Sequence, residues 1–362
     1  MNALEKILTQ MLAIPSPTGQ EQDFVAWLRG QALAFLPGWD ILEHSDCLIL
    51  SSPQRPSLPH IALVGHSDVV PAFFEPRVVD GRLFGAGASD MKGALAAFWH
   101  LLVEHADALC RSQNVSLIVY SREEQTPLVE NGLYHLLQAF PAFFQSLDLA
   151  IVGEPTDNTL QLGCVGSIHA RVTVKGLACH SARPWNGENA LYKAIPFLQA
   201  MAALEPVRHT VFGLDFFDVL QVTESSSEPG RTSLPGWWRA NVNFRFAPVR
   251  SEAEAQVELT AHLLNFGIAA EGIEIFDSVP AGSVIESALF RRTLERLDLP
   301  LQAKQAWTDV AQLTAREIPA FNFGPGLTAQ AHKADEYILL SDLADYYQHL
   351  LRLFGLTAEE CA

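Results

Sequence analysis

The chain has 362 residues, 49% of them hydrophobic and 18% charged, enough for two compact domains with sizeable cores. Its net charge of -17 argues against nucleic acid or an anionic membrane surface as a partner, and no run approaches the roughly 20 apolar residues of a membrane span. Five cysteines, Cys47, Cys110, Cys164, Cys179 and Cys361, are odd in number and widely spaced, which predicts reduced thiols in a cytoplasmic protein rather than disulfides or a thiolate zinc site.

The N-terminal MNALEKILTQML has the spacing of an amphipathic helix and lacks the basic and apolar regions of a signal peptide. A buried strand is expected from Ile61 to Val64, delivering GHSDVVP into a loop. DGRLFGAGASD is too rich in glycine for regular structure, and MKGALAAFWHLLVEHA is helical, so Asp90 falls at a loop-to-helix junction. Ser116 to Ser121 forms a strand that runs into Glu123 and Glu124, and a third strand, from Leu147, ends at Glu154. Strands alternating with helices, each followed by polar residues, predict an α/β domain with a largely parallel sheet and a ligand site at the strand ends.

The pattern changes after Gly163. SIHARVTVKG and WWRANVNFRFAP alternate with a two-residue period, helices are expected from Asn189 to Leu204 and from Glu252 to Phe266, and IEIFDS is a further strand. This is an α+β insert with one solvated sheet face. The expected division is a discontinuous domain of residues 1–164 and 282–362 and an inserted domain of residues 165–281.

Individually, the polar residues at the strand ends have ordinary readings. Asp90 could cap a helix, the Glu123–Glu124 pair could lie in a solvated turn, and Glu154 and His332 could be loop residues. In His66-Ser67-Asp68 a strand places residues two apart on one side, so the Asp68 carboxylate is expected to reach the His66 imidazole, fix its tautomer and leave the other nitrogen for a metal. Taken together, the two histidines and the acids supply the donors that a pair of divalent ions needs.

In order, GHSDVVP, GAGASDMKGA, SREEQ, GEPT, GLACHSARPWNGENA, NFRFAP and FGPG followed by AHKADEY resemble the M20 metallopeptidases and deacylases over nearly the whole chain. The resemblance implies a zinc-peptidase-like catalytic domain and a ferredoxin-like inserted domain for dimerisation or lid closure. It also implies two Zn2+ ions, with Co2+ a substitute. His66 and Glu154 would hold one ion, Glu124 and His332 the other, and Asp90 both. Asp68 would support the ligands, Glu123 would be the general acid/base, and the Asp90–Met91 peptide bond would be cis. His180 would reach the active site of a partner subunit and stabilise the oxyanion, which implies a homodimer. Arg245 would hold the substrate carboxylate, with Thr308 and Gly324 beside it and Asp309 in the same loop.

Within the family, the NFRFAP strand and the segment from WTDVAQL to AHKADEY look most like succinyl-diaminopimelate desuccinylases, which act on a small N-acyl amino acid. Val165 stands where many of these have arginine, and Arg231-Thr232-Ser233 where they have an asparagine before a turn. An acetylornithine-type deacetylase is therefore the alternative, and a non-catalytic binding protein on the same fold a remote one.

Overall fold

The computed structural model describes residues 1–124 and 126–356, and Cys361 lies outside them. The chain divides into two compact units. One comprises Met1–Gly163, Val284–Gln302 and the chain from Thr308 onward, and the other Cys164–Ser283 with Ala303–Trp307.

The first unit is built on a mixed sheet of eight strands among the described residues, with Asn114–Tyr120, His60–His66, Leu149–Val152 and Ala320–Asn322 side by side and parallel at its centre. Every residue in these four strands is buried, as strands covered on both faces require, which explains their near-continuous apolar runs. The register pairs His66 with Tyr120, Val64 with Val152 and Asn322 with Val152. The segments that follow, carrying Asp68, Glu123 and Glu124, Glu154 and Gly324, thus leave the sheet along one edge. The long helix Lys92–Ser112 packs on the strand His60–His66, and the helices Ala3–Leu12 and Leu340–Leu353 pack on that helix.

The glycine-rich stretch before Asp90 is more ordered than its composition suggests. Arg77–Val79 and Arg82–Phe84 form a hairpin around Asp80 and Gly81, both with positive φ (48° and 73°), as a tight two-residue turn demands. Arg82–Phe84 also pairs antiparallel with Tyr337–Leu339. The Asp90–Met91 peptide bond is cis.

The second unit is an antiparallel sheet of five strands in the order Val207–Val211, Leu214–Ser227, Trp237–Phe246, Gly166–Lys175, Ile273–Val279. Alternate residues such as Ile168, Ala170, Val172, Trp238, Val242 and Phe244 pack with Phe197, Met201, Leu259 and Leu263 from the covering helices. The intervening residues, Arg171, Arg239, Asn241 and Arg245 among them, are exposed or half-buried. The strand Leu214–Ser227, the longest of the unit, was not expected from the sequence, because its second half, Thr223 to Ser227, carries no apolar alternation. The helical stretch expected from Asn189 breaks at Ala194 into Ala190–Lys193 and Ile195–Ala202, with Pro196 in the first turn of the second piece. Cys47, Cys110, Cys164 and Cys179 are free thiols, and no described helix is long and apolar enough to cross a membrane.

Candidate metal centre

His66 ends its strand fully buried, and its Nδ1 lies 2.9 Å from the backbone carbonyl of Asp68, whereas the Asp68 carboxylate is 3.6 Å away. Nδ1 thus has the Asp68 carbonyl as its nearest acceptor, with the Asp68 carboxylate that the sequence spacing pointed to just beyond it. A carbonyl can only accept, so Nδ1 carries the hydrogen and Nε2 presents its lone pair. That lone pair faces Asp90 Oδ1 at 3.2 Å and Glu154 Oε1 at 3.9 Å. A lone pair against two carboxylate oxygens is repulsive unless a cation or a proton lies among them. The same demand appears as proton affinity: burial disfavours the imidazolium of His66, but Asp68 and Asp90 outweigh it and raise its pKa well above the usual value.

The other oxygen of Asp90 looks the opposite way. Oδ2 is 3.6 Å from His332 Nε2, which in turn lies 3.0 Å from Glu124 Oε2. The hydrogen bond to Glu124 holds the His332 imidazolium up to about 9 against the effect of burial. His332 has φ 63°, a left-handed conformation that costs a non-glycine residue on the order of 1 kcal/mol. Arg122, just before the glutamate pair, has φ 56°. Donor atoms of His66, Asp90 and Glu124 all lie within 4.8 Å of one another. Two histidines and three carboxylates, arranged on either side of Asp90, are hard and borderline donors of the kind that divalent zinc and cobalt accept.

Asp68 does something the sequence did not reveal. It is fully buried, and its carboxylate accepts backbone N–H groups from Glu123 at 3.0 Å and Glu124 at 2.9 Å and the Thr18 hydroxyl at 3.1 Å. It therefore fixes the turn that presents both glutamates. Glu123 is half-buried, and burial pushes its carboxyl well above the ordinary range, with Glu154 and Glu124 adding to the shift and His66 opposing it. A carboxyl of raised pKa is the kind of group that proton transfer near neutrality uses.

Two residues expected at the substrate are buried. Thr308 is 2% exposed, and neighbouring Asp309 is 0% exposed, accepting the Tyr120 hydroxyl at 2.5 Å beneath His66, whose ring meets that of Tyr120 edge-on at 6.3 Å. Gly324 exchanges hydrogen bonds with the Thr156 hydroxyl, its N–H donating and its carbonyl accepting, both at 3.1 Å. A Cβ there would sit 2.4 Å from the carbonyl oxygens of Gly153 and Glu154, so glycine is needed to let the two loops close. At Gly326 a Cβ would be 2.0 Å from the Ser89 carbonyl, directly before Asp90.

In the second unit, His180 lies in the short strand Cys179–His180, exposed, with Nδ1 accepting the Ala182 N–H at 3.1 Å. Neutral His180 must then carry its hydrogen on Nε2, which makes that nitrogen a donor. Arg245 is half-buried and its Nε donates to Asn243 Oδ1 at 3.1 Å. Sequence reasoning missed Glu336 and Lys92. Glu336 lies inside AHKADEY, four residues after His332, and is fully buried against the loop that carries Asp90. Lys92 is buried with its ammonium donating to the carbonyls of Met11 and Ile14 at 3.2 and 2.8 Å, tying the start of its helix to the N-terminal segment.

Comparison with known proteins identifies the family of the chain. Residues 62–355 match the model of peptidase family M20/M25/M40. The chain is 33% identical to a succinyl-diaminopimelate desuccinylase of Corynebacterium glutamicum, with 94% of this chain and 93% of that one covered. Its fold is similar to that of a tripeptidase from Staphylococcus aureus (TM-score 0.79, 16% identity, 97% and 96% of the two chains). It is also similar to a Bacillus subtilis protein described as a dinuclear metal binding peptidase (TM-score 0.68, 16% identity, 97% and 96%). The chain belongs to peptidase family M20, and is a metal-dependent amide hydrolase.

Proposed function

We infer that this chain hydrolyses N-succinyl-LL-2,6-diaminopimelate to succinate and LL-2,6-diaminopimelate, a step of bacterial lysine biosynthesis, using two zinc ions that cobalt can replace. The observation that carries the metal reading is the Asp90 carboxylate, with one oxygen 3.2 Å from His66 and the other 3.6 Å from His332. Asp90 is assigned to both ions, His66 and Glu154 to one, and Glu124 and His332 to the other. When bound, such ions acidify water and polarise an amide carbonyl.

The remaining work falls to the chain's own side chains. Glu123 takes a proton from the attacking water and passes it to the leaving amine nitrogen. Asp68 holds the backbone from which Glu123 projects. The inserted domain is assigned to dimerisation and closure, with His180 of one subunit donating from Nε2 to the oxyanion in its partner. Arg245 is assigned to a substrate carboxylate, for which a guanidinium fork is suited. Thr308 and Gly324 are assigned to the substrate pocket as well, Gly324 through its backbone.

The succinyl assignment rests on the likeness to the Corynebacterium desuccinylase. Val165, fully buried and apolar where an arginine is common in desuccinylases, favours an acetylornithine-type substrate as the second reading. The deciding experiment compares kcat/KM for succinyl-diaminopimelate and acetylornithine on zinc-loaded protein. A preference of about 10- to 150-fold for the succinyl substrate is expected, since loss of a charged hydrogen-bonding group costs roughly 1.5–3 kcal/mol. Equal rates, or a preference for acetylornithine, would overturn the succinyl assignment.

His180→Ala is expected to lower kcat by about 100-fold, the usual effect of losing one oxyanion donor, with metal content unchanged. Steady-state kinetics beside elemental analysis checks both, and wild-type kcat would remove His180 from the mechanism.

A further inference from the structure

We propose that Glu336 is a positioning residue for the metal centre, a latch that sets the orientation of Asp90 and ties it to the loop carrying His332. The inference rests on the assignment of Asp90 and His332 as ligands. It deepens that assignment by naming a residue that touches neither metal nor substrate.

Glu336 is 0% exposed, and its carboxylate accepts three backbone N–H groups of one loop: Ser89 at 2.7 Å and Asp90 at 2.8 Å on Oε1, and Gly87 at 2.9 Å on Oε2. The backbone around it reinforces the connection. Gly85 N–H donates to the Glu336 carbonyl at 3.1 Å, the Ser89 hydroxyl donates to the Tyr337 carbonyl at 2.7 Å, and Leu327 N–H donates to that hydroxyl at 3.1 Å. Residues 85–90 are thus held along the segment 327–337 by bonds from both sides. A buried carboxyl group collecting the amides that lead into Asp90 fixes the direction of its Cα–Cβ bond, and so aims the Asp90 carboxylate between the two histidines.

Only four positions separate Glu336 from His332. Disturbing the latch therefore displaces the bridge together with His332, while His66, Glu154 and Glu124 are held at the ends of central strands, Glu124 through its N–H bond to Asp68. Loss of the latch should weaken the two metals unequally.

The test is a chelator-competition titration of metal-stripped full-length protein with Co2+, with the visible absorption of the bound cobalt recorded. Glu336→Gln keeps the shape and one acceptor but opposes an amide NH2 to the Gly87 N–H; Glu336→Ala removes all three bonds. Both variants should bind the more weakly held ion about 10- to 100-fold less tightly, the usual effect of losing a ligand's supporting partner, with a smaller change for the tighter ion. The cobalt spectrum should change, and kcat should fall more than KM rises, with Glu336→Gln milder than Glu336→Ala. If Glu336→Ala does not fold, the Gln variant carries the test alone.

A lowered melting temperature with wild-type cobalt affinity and spectrum would make Glu336 merely structural and overturn the proposal. Asp90→Asn separates the two levels of inference. If it keeps full metal binding, the ligand assignment itself fails; if it loses metal while both Glu336 variants keep it, only the latch fails.

Discussion

Glu123→Gln is expected to lower kcat by about 10²- to 10⁴-fold, the range for removal of a general base, while the protein keeps its metal and KM changes little. The side chains have nearly the same shape, so packing is preserved and only the capacity to carry a proton is lost. Neither Asp68, which holds the Glu123 backbone N–H at 3.0 Å, nor the Glu124 contact with His332 at 3.0 Å depends on the Glu123 carboxylate. Kinetics together with elemental analysis distinguishes the outcomes. Wild-type turnover would dismiss Glu123 as the base, and loss of metal would make it a ligand instead.

Asp90→Asn should be felt on both sides of the centre. Because its oxygens lie 3.2 Å from His66 and 3.6 Å from His332, an amide in that place sets an NH2 donor against one side and removes the negative charge shared between them. Affinity for divalent ions should fall by at least about 100-fold, the upper range for residues that only support a ligand, and amide hydrolysis should drop to background. Stability gives a second readout. An ion present at about 100 times its Kd stabilises the folded state by roughly 2.7 kcal/mol, so chelation should lower the melting temperature of the wild-type protein and leave that of Asp90→Asn nearly unchanged. Glu154→Gln, by contrast, should weaken one ion more than the other. Full metal content in Asp90→Asn would contradict its role as bridge.

The sequence made legible those features that leave a mark on side-chain pattern. Apolar runs such as Ile61–Val64 and Val115–Val119 announce strands buried on both faces, and the polar residues after them mark the sheet edge where His66, Glu124 and Glu154 gather. Features carried by the backbone stayed hidden. The strand Arg82–Phe84 pairs with Tyr337–Leu339, some 250 residues away, through main-chain bonds that three residues of sequence cannot signal. The carboxylates of Asp68 and Glu336 bind peptide N–H groups, which every residue but proline has, so no partner could be named from composition. The long strand Leu214–Ser227 was missed for a related reason, since its Ser-rich half is held by pairing with Trp238–Asn241 and not by burial of its own side chains.

The most direct measurement is metal stoichiometry against turnover. Protein stripped by chelator and titrated with zinc or cobalt should bind two ions per chain, as a two-metal hydrolase requires, and should recover amide hydrolysis as they bind. Hydrolysis that persists undiminished in the stripped protein, or a chain that binds no divalent ion, would contradict a metal centre built on Asp90.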